Sequence, residues 1–527
     1  MNNLGKLVFK MTLIFSLGLF LVNCEGEDGR DGINGVDGED GVDGQDGVDG
    51  QDGQDFEPIP TIFSDKSPTK PLIAMASQFN YVDTYSLIST PDVIDGTFQL
   101  AGSADGAGFL KNPNGDGYIY VVNCEDSYAV ARIFLDENLI PTSGDYLLNS
   151  GVSDFARQCS GTMWEAAIHG GSQDLFLSAS ESINYDVKGI DPYITTPTPT
   201  ADFGLDALGE FSWENAVPLP KDAYSGKTVI IGGDDDSSDS EGQVTLYYSE
   251  NADDDLTNGK IYVLRFKQVS DGVVDTDGNI GIQDVAPDTV YNEGQLDFGN
   301  TYDVEFVEIA NGKDLTKDEM ETACTGVFAS QFMRVEDVDY QKGSDANGRN
   351  VFFAVTGRGP GRGTYNDWGT VYKLELDDAS PLTGKLTQII SGNTDTNNMD
   401  GNLSALQSPD NICVTENFVY VQEDPNSFSR GHAAQIYQTD INGNNPSKVL
   451  EFVVRQDLDP NNSTGFSGEF GALTDISDKV GIPGTFLLAL QPHYWESPDF
   501  MNLDGHTNSS REDDQASQIV ILKGLPR

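Results

Sequence analysis

From about Phe56 to the C-terminus, short runs rich in β-branched and aromatic residues alternate with clusters of Gly, Asn, Asp and Pro. Eleven such runs stand out: YIYVVN near Tyr118, ARIFLD near Ile133, LFLSAS near Phe176, TVIIGG near Val229, VTLYYS near Leu246, KIYVLRF near Tyr262, NVFFAVTG near Phe352, TVYKLEL near Tyr372, NFVYVQED near Val419, AQIYQTDI near Tyr437 and TFLLALQP near Leu487. Turn clusters such as NPNGDG, GGDDDSS, DTDGN and DINGNN separate them. This punctuation predicts short strands joined by tight turns. Long amphipathic helix patterns are scarce.

About 470 residues of short strands exceed what one sandwich uses, and no strict repeat divides them. The pattern predicts an all-β chain, a β-propeller of six irregular blades, because radial blades let one domain grow while protecting its strand edges. Two all-β domains are the alternative. In a propeller, loops from different blades meet at the central channel, so functional residues are expected to be scattered along the sequence.

The N-terminal end follows a different pattern. Lys6 and Lys10 precede an apolar run from Met11 to Val22 that stops at Leu21-Val22-Asn23-Cys24. The run is shorter than the roughly 20 residues of a stable span and reads as a signal peptide over residues 1–23. Its Leu-x-x-Cys ending resembles a lipobox, with Cys24 the lipidated residue and Asn23 bulkier than the usual small residue. From Gly26 to Gly53 glycine returns every third residue, usually after Asp or Asn. The period is that of collagen, but without proline the tract reads as an extended acidic spacer over 24–55 rather than a trimeric stalk. Residues 56–527 then form the folded domain, expected as a monomer on the bacterial outer membrane or cell surface, held by its lipid.

Charge narrows the partners. With 85 acidic against 30 basic residues the formal net charge is −55, so nucleic acid is an improbable partner. The acids either keep the domain soluble or hold hard cations such as calcium, which prefer oxygen ligands. Four cysteines remain after Cys24, namely Cys124, Cys159, Cys324 and Cys413. An oxidising envelope permits disulfides among them, and spacing does not choose a pairing. With four histidines and no Cys-x-x-Cys, a zinc centre is not expected.

Several charged residues interrupt segments that otherwise read as buried or tightly turned: Cys159-Ser160-Gly161 with Trp164, then Glu181, Glu214, Arg334 with Glu336 and Asp337, Asp410-Asn411, Glu423-Asp424 and Glu469. In the order QCSGTMWEAA, LFLSASE, LGEFSWENA, RVEDVD and SPDN, followed by GEFGALTDISDKVGIPGTFLLALQPHYW, the chain resembles the PhoX-type alkaline phosphatases from about Gly117 to Trp495. The resemblance implies a propeller with iron and calcium (Fe3+, Ca2+) at its centre that releases phosphate from small phosphate monoesters. It implies Cys159 as a thiolate ligand to iron, and Glu181, Glu214, Glu336 and Asp410 as oxygen ligands with Asn411 beside them. Glu125 in VVNCED is a further candidate ligand, and Arg334 faces the substrate phosphate.

The chemistry is coherent with those residue types. A phosphate dianion repels its attacking nucleophile, so its oxygens must be neutralised. Carboxylates suit hard cations, a thiolate suits iron, and an arginine fork matches two phosphate oxygens. The sequence also departs from the family's pattern: Glu210 and Trp213 replace an arginine and a histidine, Cys124 a histidine and Val335 a proline. A non-catalytic lipid-anchored propeller that binds a glycan, a protein or calcium is therefore the alternative. The basic turn Arg358–Arg362 and the acidic run after Ile231 read as exposed loops.

Overall fold

A computed structural model describes residues 63–195, 203–236, 242–274, 276, 280–359, 364–392, 401–425, 428–460, 468–507 and 513–527. These fall within one unit, Pro60–Arg527. The expected signal peptide, Cys24 and the glycine-repeat spacer lie outside the described residues. Among the described residues no helix is long and apolar enough to cross a membrane.

The described chain is all-β and propeller-like. Ala104–Lys111, Tyr118–Cys124, Ala129–Leu135 and Pro141–Leu148 form an antiparallel meander, followed by a three-stranded sheet of Gln158–Trp164, Leu175–Ser180 and Val187–Ile190. Two further meanders, beginning at Trp213–Pro218 and Val335–Tyr340, merge at their outer edges into a nine-stranded sheet through Thr301–Glu308. Pro409–Val414 opens the next sheet, whose outer edge takes Ile73–Met75. Glu469–Asp475 opens the last, in which Asp83–Ser89 pairs with Gln518–Lys523. N-terminal strands thus complete the two C-terminal sheets, a non-local closure that ties the ring shut.

All eleven sequence runs fall on strands. Tyr118–Cys124 and Thr485–Gln491 are buried almost throughout because sheets pack on both of their faces, which explains their near-continuous apolar character. One core joins the first sheet to the last through Phe109, Tyr120, Ile133, Leu487 and Ile519, and others fill the remaining gaps between sheets.

The first strand of each sheet touches the next around a closed ring. Ala104–Lys111 packs on Gln158–Trp164, that on Trp213–Pro218, and so through Val335–Tyr340, Pro409–Val414 and Glu469–Asp475 back to Ala104–Lys111. Backbones approach so closely there that side chains do not fit everywhere. A Cβ on Gly106 would sit 1.9 Å from Gly161 N, and one on Gly233 2.2 Å from the Glu336 carbonyl oxygen.

Candidate metal centre

The inner strands share one local irregularity. Their pairing register slips between Ala104 and Ala107, Gln158 and Gly161, Trp213 and Asn215, Val335 and Val338, and Pro409 and Ile412. A bulge frees its residues from strict alternation and re-aims them. The residues in these slips include Asp105, Cys159, Glu214, Glu336 and Asp410, and all five line one cavity of about 630 Å³ at the end of the ring.

After each of these except Asp105, the next residue turns into a polar floor. Ser160 Oγ donates to Asn411 Oδ1 at 3.1 Å, and Asn411 Nδ2 donates to Asp105 Oδ1 at 3.0 Å. Asn215 Nδ2 donates to Asp337 Oδ1, while Asp337 Oδ2 accepts from Ile412 N at 3.0 Å. The floor fixes the backbone from which the upper acids project.

The opposite ends of the second strands supply the rest. Glu125, Glu181, Asp235 and Asp424 each follow the last residue of such a strand, and all reach the cavity. Glu469 and His493 come from the last sheet, with His493 Nε2 3.2 Å from Glu469 Oε2. Each of the two arginines on the cavity immediately precedes an inner strand. Arg157 pairs with Glu125, Asp126 and Glu181 at 3.3, 3.0 and 3.2 Å. Arg334 Nε and Nη2 donate to the two oxygens of Asp235 at 2.7 and 2.9 Å, and Nη2 lies 3.0 Å from Glu336 Oε1. Its backbone is left-handed, φ 67°, a conformation that non-glycine residues keep where the surroundings enforce it.

Eleven carboxylates and two guanidiniums among the described residues face this space. Burial, then neighbouring acids, holds Asp105, Glu214 and Asp410 well above the carboxylate range. Burial raises Glu336 as well, against the pull of Arg334, and lifts Glu125 and Glu181 to about 7 against that of Arg157. The Cys159 thiol is pushed up by burial and then by Glu181 and Glu214. Positive charge brought into the cavity would pull these groups back toward their ionised forms.

The residues fit a metal. Ligand atoms of Asp105, Cys159 and Glu214, of Glu125, Cys159 and Glu181, of Glu181, Glu214 and Asp235, and of Glu214, Glu336 and Asp410 come within 4.8 Å of one another in each set. Asp410 Oδ1 is buried without a hydrogen-bond partner, a cost that a cation would relieve. Oxygen donors with one thiol suit hard cations and iron.

Of the residues expected from the sequence, Cys159, Glu181, Glu214, Glu336, Asp410, Glu125 and Arg334 all line the cavity. Asn411 does not; the bulge between Pro409 and Ile412 turns it into the floor, where it orients Asp105 and Ser160. Glu423, adjacent to Asp424, points away and accepts from Gln407 N and Gln435 N, both at 2.9 Å. Asp105, Arg157 and His493 were not singled out by the sequence, although Arg157 stands two residues before Cys159, and Asp235, in the acidic run read as an exposed loop, instead has its side chain buried against Arg334 on the cavity. Cys124, Cys159, Cys324 and Cys413 are all free thiols, so the disulfide left open by the sequence does not form between Cys124 and Cys159.

No protein-family model matches the sequence, and no curated protein matches it. Among solved structures, the chain is similar to Pseudomonas fluorescens PhoX in complex with vanadate, a transition state analogue. That likeness has a TM-score of 0.53 at 13% identity and covers 86% of this chain and 96% of that one. The PQQ-bound aldose sugar dehydrogenase of Streptomyces coelicolor gives a TM-score of 0.28 at 10% identity over 85% of this chain and 100% of that one. What the PhoX likeness supports for this chain is a distant PhoX-like fold.

Proposed function

We propose that the chain is a metal-dependent phosphatase of the PhoX type that releases phosphate from small organic monoesters. The observation that carries this reading is the bulged ring: five successive inner strands each aim one acid or thiol into a single cavity, beside an arginine locked in position. The fold likeness to a phosphatase bound to vanadate supports it, and so does the order of motifs along the sequence. The closed ring of first strands supports a six-bladed propeller.

In this reading Asp105, Cys159, Glu214, Glu336 and Asp410 hold the cations, Fe3+ and Ca2+. When bound, these supply the positive charge that offsets the phosphate oxygens. Arg334 binds and orients the phosphate. Its Nε and Nη2 are engaged by Asp235 and Glu336, which leaves the Nη1 edge for an anion. The two carboxylates hold the fork rigid, so little ordering entropy remains to be lost on binding. The floor through Asn411 and Ser160 keeps Asp105 aligned. His493 is placed to exchange a proton at Nε2 with Glu469.

We further read Cys24 as a lipid attachment that holds the domain at the cell envelope, where phosphate esters are small diffusible substrates. Release by detergent and not by salt is the expected behaviour.

The decisive experiment is elemental analysis of purified protein together with hydrolysis of an aryl phosphate in the presence of calcium. Iron and calcium with turnover are expected. Folded protein that binds calcium without turnover would instead identify a cation-binding propeller that has kept the scaffold and lost the reaction.

A further inference from the structure

We propose that Arg157 takes the place of a metal ion on one side of the cavity, so that the resident cations are confined to the side formed by Asp105, Cys159, Glu214, Glu336 and Asp410. The proposal rests on the reading of the cavity as a metal centre and narrows which carboxylates serve it.

The two sides differ in how their oxygens are satisfied. On the first side Asp105 Oδ1 has Asn411 Nδ2 and Glu336 Oε1 has Arg334 Nη2, each at 3.0 Å, and the remaining oxygens have few donors. Glu214 Oε1 accepts from Ser160 N at 3.3 Å, a long bond, and Asp410 Oδ1 is buried without a partner. On the second side Arg157 forms ion pairs with three carboxylates, that with Asp126 Oδ1 lacking hydrogen-bond geometry. Arg157 Nη1 lies 3.3 Å from Glu125 Oε1 and 3.2 Å from Glu181 Oε1, and Nη2 lies 3.0 Å from Asp126 Oδ1. Gln491 Nε2 donates to Glu125 Oε2 at 3.0 Å, and Ser103 Oγ donates to Asp126 Oδ2 at 3.2 Å.

Arg157 is also built in. Its backbone N donates to Ser182 Oγ at 3.2 Å and its carbonyl accepts from Ser180 Oγ at 3.4 Å. Both partners belong to the segment that carries Glu181. The backbone of Arg157 is thereby tied to the strand end that supplies Glu181, and its guanidinium is held by the three ion pairs. A divalent ion among Glu125, Asp126 and Glu181 would stand against a permanent positive charge, because arginine does not give up its proton. Glu125, Cys159 and Glu181 bring ligand atoms within 4.8 Å of one another, yet two of these three already face Arg157. The spacing is that of a metal site and the occupant is a side chain.

Removing the charge while keeping the bulk should open that site. Calcium stoichiometry of the full chain, measured by isothermal titration calorimetry and native mass spectrometry, is compared for wild type, Arg157→Met and Arg157→Lys. The methionine variant is expected to bind one more Ca2+ per chain than wild type, and the lysine variant the same number as wild type. A methionine variant with native circular dichroism and unchanged or reduced stoichiometry overturns the proposal. If that variant does not fold, Glu125→Gln and Glu214→Gln decide in its place. Loss of a calcium with Glu214→Gln alone supports the proposal, and loss with Glu125→Gln overturns it. A wild type that binds no cation at all defeats the metal-centre reading separately. In that background one Ca2+ gained by Arg157→Met still supports the role of Arg157, and none gained overturns it.

Discussion

Arg334 and Asp235 meet fork to fork, through bonds of 2.7 and 2.9 Å, from a strand start and a neighbouring strand end. The pair fixes the one guanidinium that the sequence had marked for the substrate phosphate. Arg334→Ala should lower kcat/KM for an aryl phosphate by roughly 10²–10³, the scale for losing a charged donor to the transition state. Asp235→Asn keeps the shape and loses the charge-assisted bond, and a fall of roughly 10–100-fold is expected from the loosened arginine. Steady-state kinetics with calcium present measure both, and an unchanged rate in Arg334→Ala would remove Arg334 from the reaction.

Cys159 is 2% exposed and sits in a bulge between acids, whereas Cys124 is enclosed in a strand core. A soft ligand among oxygens discriminates for iron over calcium. Cys159→Ser should therefore cut iron content by about tenfold or more while calcium content holds. Elemental analysis of wild type and variant checks this. Because the described cysteines are free, the denatured and unreduced protein should show four reactive thiols.

The outer architecture was legible from sequence because strands buried on both faces have to be continuously apolar, as in Tyr118–Cys124. The inner strands were harder to see. Ala104–Lys111 opens with Ala-Asp-Gly-Ala-Gly, and its residues are small because Gly106 lies against Gly161. Candidate acids could be found where a polar pair stands at the head of such a strand, as in Asp410-Asn411, but the pair gives no sign of which member faces the cavity. The bulge between Pro409 and Ile412 decides that, and it assigns Asp410 to the cavity and Asn411 to the floor. Asp235 and His493 reach the site from segments distant in sequence from Cys159, which only the ring closure brings together.

Glu125 and Glu181 are pushed up to about 7 by burial, despite the pull of Arg157. A carboxyl raised in the folded state favours folding while protonated. That contribution is complete below the unfolded value near 4.5 and is lost as pH rises through about 7. Metal-free protein should therefore melt at least about 2 °C lower at pH 8 than at pH 5. Calcium binds ionised carboxylates and reverses the trend, so the rise in Tm on adding it should be larger at pH 8. Differential scanning fluorimetry with and without chelator tests both signs.

Gly233 carries the geometry of the ring more directly than any side chain near it. A methyl group there would come within 2.2 Å of the Glu336 carbonyl oxygen and push apart the two strands that present Asp235 and Glu336. Gly233→Ala should cost about 1–3 kcal/mol, as overpacking usually does, and should lower metal content because Glu336 moves. Gly326 ends the Lys317–Gly326 helix with nothing within 4 Å of an added Cβ, so Gly326→Ala should leave stability unchanged or raise it by about 0.5–1 kcal/mol. Denaturant titration separates the two. Equal stability of the variants would show that the inner strands have room to relax, and that their close approach is not what sets the positions of Asp235 and Glu336.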